Sequence, residues 1–149
     1  MDSEFRFELS NAYPTVILHD CIVDRIEIKD NVTFTFPDGF WIQELEGFSK
    51  NAAIEISMDD IYDFSCALVH HNAWGRRPNF YGHKIALAKV SKMLSKGIKI
   101  ELIDEFYTIN HLFWRFCVIP KRQWRRFSDE LIIECNITEG NLCMQYKWN

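Results

Sequence analysis

The stretch IVDRIEIKDNVTFTF, residues Ile22–Phe36, decides the fold class of this chain. Apolar and polar residues alternate on both sides of Lys29-Asp30-Asn31, the two-residue period of strands with one buried face. Ile22, Ile26 and Ile28 fall on one face, with Asp24 as a polar intrusion among them; Val23, Arg25, Glu27 and Lys29 fall on the other. In the second run Val32, Phe34 and Phe36 oppose Thr33 and Thr35. The two apolar sets share a face only if even-numbered residues pair with even ones. This parity predicts a hairpin with Ile28 opposite Val32, a three-residue loop, and a left-handed Asn31. Pro37-Asp38-Gly39 then breaks the ladder ahead of Phe40-Trp41-Ile42.

The same alternation extends outward. Strands are expected over 52–58, 98–106 and 112–118, the last with Leu112, Trp114, Phe116 and Val118 on one side. The segment 60–71 fits a strand through Tyr62, Phe64, Cys66 and Leu68, and fits a helix through Ile61, Phe64, Ser65 and Leu68; the strand is preferred. At the C-terminus, Leu131, Ile133, Cys135 and Ile137 form one apolar set and Leu142, Met144, Tyr146 and Trp148 another. Read as a hairpin about Glu139-Gly140, they place Cys135 opposite Met144. One helix is expected over 84–96. Leu87, Val90 and Leu94 form its apolar stripe, Lys89, Lys92 and Lys96 a solvated face, and Gly97 its stop. The expected class is α+β and mainly β: an antiparallel sheet or sandwich built from hairpins, with one amphipathic helix, in a single domain over 1–149.

Composition agrees. At 149 residues, with 48% hydrophobic and 15% aromatic residues, the chain has the material for a core without a metal or disulfide. A net charge of −4 and a pI near 5.7 argue against a global attraction to nucleic acid. The opening residues lack a basic segment leading into an apolar run, and no stretch has the length of a membrane span, so a soluble, cytoplasmic protein without membrane contact is expected. The five cysteines are scattered and never form Cys-x-x-Cys, which suits reduced and mostly buried thiols.

The motifs do not favour an enzyme. The Gly-x-Ser-x-Gly elbow, the phosphate-binding Gly-rich loop and His-Glu-x-x-His are all missing, and no cofactor is implied. The polar candidates are His19, Asp20, Asp24 and His70. His19-Asp20 pairs an imidazole with a carboxylate, as general-base chemistry requires, yet neighbours on a strand diverge; a bond to backbone where the strand begins is the simpler role. Asp24, if buried, needs partners; water access near a sheet end removes that need. His70-His71 would put His70 beside Cys66 only on a helix, and its spacing matches no standard zinc arrangement, so no metal site is assigned.

Two cation- and aromatic-rich segments suit partner binding. Residues 74–82 carry Trp74, Arg76, Arg77 and Tyr81, types enriched at interface hot spots; residues 121–127 carry Arg122, Trp124 and Arg125. A protein partner is the expectation. Runner-up readings are a small hydrolase or ligand-binding protein using the His and Asp residues, and RNA binding through 121–127, which the acidic whole disfavours.

The stretch ILHDCIVDRIEIKDNVTFTFPDGFWI (17–42) carries a Leu-His-Asp strand-hairpin pattern at Leu18, His19 and Asp20. KVSKMLSKGIKIELIDEFY (89–107) reads as a helix followed by a strand. Together they resemble small uncharacterised bacterial proteins, some of them similar to immunity proteins of polymorphic toxin systems. The resemblance touches about half the chain by pattern. It implies a cytoplasmic, non-enzymatic protein that binds a toxin and blocks it, and it attaches no catalytic role to the three residues.

Overall fold

Fourteen strands and one α-helix form among the described residues, and long strands such as Ala52–Ser57, His111–Ile119 and Glu130–Ile137 alternate as Ile22–Phe36 does. The computed structural model describes residues 3–8, 16–57, 61–72, 79–121, 129–137 and 143–148, and of these only the backbone for 3–8, 44, 61–63, 71–72 and 79–81. In chain order the strands begin with β1 (Ser3–Glu8), β2 (Val16–Ile17), β3 (Ile22–Val23), β4 (Arg25–Ile28) and β5 (Asn31–Phe36). Next come β6 (Trp41–Ile42), β7 (Gly47–Phe48), β8 (Ala52–Ser57), β9 (Ile61–Asn72) and β10 (Asn79–Ile85). After helix α1 (Leu87–Ser95) follow β11 (Lys99–Thr108), β12 (His111–Ile119), β13 (Glu130–Ile137) and β14 (Cys143–Trp148). Three antiparallel sheets result, ordered β1-β14-β8-β5-β4, β10-β9-β13-β12-β11-β3 and β2-β6-β7.

The five- and six-stranded sheets share one hydrophobic core. Phe34 of β5 meets Trp114 of β12 edge-on at 5.0 Å, joining the two layers. Phe36, Phe40 and Tyr146 continue the packing through edge-to-face contacts at 5.4 and 5.8 Å. All five of these rings are fully buried, each contributing about 1.5–3 kcal/mol by leaving water. The class read from the sequence is the one found: mainly β, antiparallel, with one α-helix among the described residues.

Register agrees in the first hairpin and differs elsewhere. Ile28 pairs with Val32, as parity requires. Asn31, however, is not left-handed; it opens β5, paired with Ser57, and the positive φ values of non-glycine residues fall at Asp20, Glu46 and Asn51. The alternation of 22–28 also changes face partway. β3 belongs to the six-stranded sheet and β4 to the five-stranded one, so Asp24 is the crossing point. Val23 and Ile26 are therefore the buried pair, while Ile22 is half-buried and Ile28 exposed.

The C-terminal hairpin is a correction. β13 pairs with β12 and β9, whereas β14 pairs with β1 and β8 in the other sheet. Cys135 faces Phe64 across a ladder, and Met144 faces Phe7 and Ile56. Alternation reports which face of a strand is buried and does not name its neighbour; two strands on opposite layers of one core carry the same pattern as a hairpin.

Of the segment 60–71, residues 61–71 are strand, within β9, and Asp60 lies outside the described residues. The helix starts later than the expected 84–96, because Lys84 and Ile85 still pair with β9. Its stripe of Leu87, Val90 and Leu94 is buried as read, and Gly97, with φ 97°, ends it. No described helix is long and apolar enough to cross a membrane.

Candidate functional site

The chain from Val23 back to Leu18 runs antiparallel beside β11. Val23 pairs with Ile100 and Ile22 with Glu101. The Asp20 N–H then donates to the Leu102 carbonyl at 2.8 Å. His19 Nδ1 lies 2.7 Å from the Ile103 carbonyl, and the Leu18 N–H donates to Glu105 Oε2 at 3.2 Å. The Leu-His-Asp turn is thus fastened to β11 at successive positions, leaving Ile17 and Phe106 as the next residue on each segment. Asp20, at φ 62°, folds its carboxylate back to within 3.3 Å of His19 Nε2. A left-handed residue brings together neighbours that would diverge on a regular strand.

Beneath the turn lies a polar chain. Trp114 Nε1–H donates to the Tyr107 hydroxyl at 3.1 Å, and that hydroxyl donates to Glu105 Oε1 at 3.1 Å. Burial pushes the Glu105 carboxyl above the usual carboxylate range, against the opposing pull of the Tyr107 and Leu18 hydrogen bonds and the His19 ring. Burial, then the neighbouring Tyr146 and Glu105, push the Tyr107 phenol well above its ordinary value.

Cys21, a thiol beside a His and two carboxylates, has the residue types of a nucleophilic site without its chemistry. Burial first, then the charge of Glu105, raises its pKa to about 11, so it is a thiol at neutral pH. Its Sγ points to the Ile17 and His19 carbonyls at 3.7 Å, and the His19 ring is spent on Ile103. The arrangement positions a turn; it does not activate a nucleophile.

The remaining polar candidates lie apart. Asp24 borders an open groove of ≈ 900 Å³ with Thr35, Ser91 and Ser95 between β4 and the helix, where water reaches it. His70 stacks on His83 at 5.3 Å, with its Nδ1 3.2 Å from Asp129 Oδ1. Three strand steps separate β9 from β11, a distance of about 14 Å, so His70 and His19 do not converge. Among the described residues no group of three or more His, Cys, Asp or Glu side chains is set to hold a metal ion. Trp74, Arg76, Arg77, Arg122, Trp124 and Arg125 lie outside the described residues, and Tyr81 is described by its backbone in β10.

The feature sequence reasoning missed is the small sheet. Ile17 pairs with Trp41 and Trp41 with Phe48, so the three side chains form a row across β2, β6 and β7. On the other face Val16 and Ile42 are buried. The row is uncovered: Ile17 is 55% exposed and Phe48 65%, with Leu45, in the 3-10 turn joining β6 to β7, at 57%. Trp41 is half-buried and meets Phe48 edge-on at 5.7 Å. The signal was present in Val16-Ile17-Leu18 and Phe40-Trp41-Ile42, which do not alternate. A strand apolar on both faces expects cover on both.

Fold and site together define a two-layer antiparallel β protein with a third, small sheet whose outer face is apolar. Comparison with protein-family models, curated proteins and solved structures finds no match.

Proposed function

We propose that this chain is a non-enzymatic, cytoplasmic protein-binding domain whose partner covers the Ile17–Trp41–Phe48 row. The observation that carries this reading is the register: three large apolar side chains stand side by side on one outward face, with Leu45 beside them. Scattered exposed apolar residues need no explanation, whereas a contiguous row of them, including an aromatic pair, marks an interaction surface. The backing is rigid. Glu105 holds the Leu18 amide next to Ile17, and the buried Ser49, next to Phe48, exchanges bonds with the Phe40 backbone. Preorganisation of this kind lowers the ordering cost of association. The resemblance of 17–42 to small bacterial proteins, some of them similar to immunity proteins, suggests the reading's particular form, a partner that is a toxin held inactive.

The test is capture from native lysate with wild-type chain, Phe48→Asp and the exposed control Lys29→Ser. Wild type and Lys29→Ser are expected to retain the same protein and Phe48→Asp to lose it. Capture indifferent to Phe48 would overturn the proposal.

A further inference from the structure

We infer that the partner meets the Ile17–Trp41–Phe48 face with a cationic, apolar protein segment, an inference resting on the binding role proposed above. The argument is the charge of the rim. Asp20, its side chain 69% exposed, stands three residues beyond Ile17 in the turn fastened to β11. Glu46, exposed and left-handed at φ 47°, directly precedes the Gly47–Phe48 strand. Exposed Asp38 sits in the turn whose Gly39 lies against Ser49, the residue after Phe48. Both ends of the apolar row are thus flanked by carboxylates. Among the described residues Asp38 and Glu46 enter no ion pair, while carboxylates on the outer sheet faces do, as in Arg115 with Asp104 and Glu130 and in Lys147 with Glu55. Among the described residues the cation nearest Phe48 in sequence is Lys50, and His19, when protonated, pairs with Asp20.

An apolar patch flanked by carboxylates repels acidic partners and nucleic acid, and it attracts a segment with Lys or Arg around apolar anchors. The aromatic pair also offers ring faces to such cations.

The test uses the full chain and two dye-labelled peptides with the same Trp-Leu-Phe core, flanked by lysines in one and glutamates in the other, read by fluorescence anisotropy. The lysine peptide is expected to bind about tenfold more tightly or better. That gap should close in the double variant Asp20→Asn/Glu46→Gln, and Phe48→Ser should abolish binding of both peptides. Equal affinities, both lost in Phe48→Ser, would overturn the cationic assignment and leave the docking face standing. A lysine preference unchanged in the double variant would also overturn it. Absence of any Phe48-dependent binding would count against face and assignment together.

Discussion

Replacing Tyr107 by Phe removes one oxygen from the polar chain beneath the Leu18 turn and leaves the ring in place. The hydroxyl bonds to Trp114 Nε1–H and Glu105 Oε1, each at 3.1 Å. A hydrogen bond to a charged group contributes about 1.5–3 kcal/mol, and a buried donor deprived of its acceptor costs about 1–3 kcal/mol. Trp114 is fully buried, so its N–H has no recourse to bulk water. The two contributions share one hydroxyl and do not add in full, so a loss of about 2–4 kcal/mol is expected. For a chain of this size that is a fall in Tm of roughly 6–12 °C. Urea unfolding followed by tryptophan fluorescence measures it. Because Phe fills the same volume, no cavity contributes. Combining the change with Glu105→Gln should give a coupling of about 1 kcal/mol or more. A Tyr107→Phe variant within about 0.5 kcal/mol of wild type would refute the claim that this hydroxyl joins the core to the turn.

Three further outcomes follow from the same geometry. Burial raises the Glu105 carboxyl, so at pH between its unfolded and folded values the folded chain retains a proton that the unfolded chain has released. Its contribution to stability is fully present below the ordinary glutamate value and is lost as pH rises through the raised one. Glu105→Gln should therefore compare more favourably with wild type at pH 8 than at pH 4 in urea midpoints, and an equal difference at both would contradict the assignment. Gly39→Ala should cost about 3 kcal/mol or more, since φ is 75° and an added Cβ would lie 1.9 Å from the Ser49 carbonyl oxygen; a loss below about 1 kcal/mol, read by thermal unfolding, would mean this turn relaxes freely. Asp24→Asn, at an open groove, should change stability by less than about 0.5 kcal/mol by the same measurement, and a large loss would point to a buried role.

What was legible in the sequence is what periodicity encodes. The buried faces of β5, β8, β12 and β13, the helix stripe at Leu87, Val90 and Leu94, and the pairing of Ile28 with Val32 all follow from alternation or parity. Strand neighbours over long sequence separations did not, as β13 and β14 demonstrate. The parity change at Asp24 was equally hidden, because a strand that crosses between layers keeps an alternating look while exchanging its inner face. For the site, His19 was singled out, and the structure gives it a backbone partner on another strand. Glu105, eighty-six residues away in sequence from His19, was missed because a carboxylate on an otherwise ordinary strand carries no local sign of burial. The apolar row was recoverable from the non-alternating runs at Val16–Leu18 and Phe40–Ile42, whose second apolar face signals a surface in need of cover.

The most direct test of the docking face is site-specific photocrosslinking in living cells, with a photoreactive phenylalanine placed at Phe48 in one chain and at exposed Lys29 in another. The expected result is one discrete protein adduct from position 48, absent from position 29 and lost when Trp41→Ser is added. Adducts that are the same from both positions, or none from position 48, would contradict a partner seated on the Ile17–Trp41–Phe48 row.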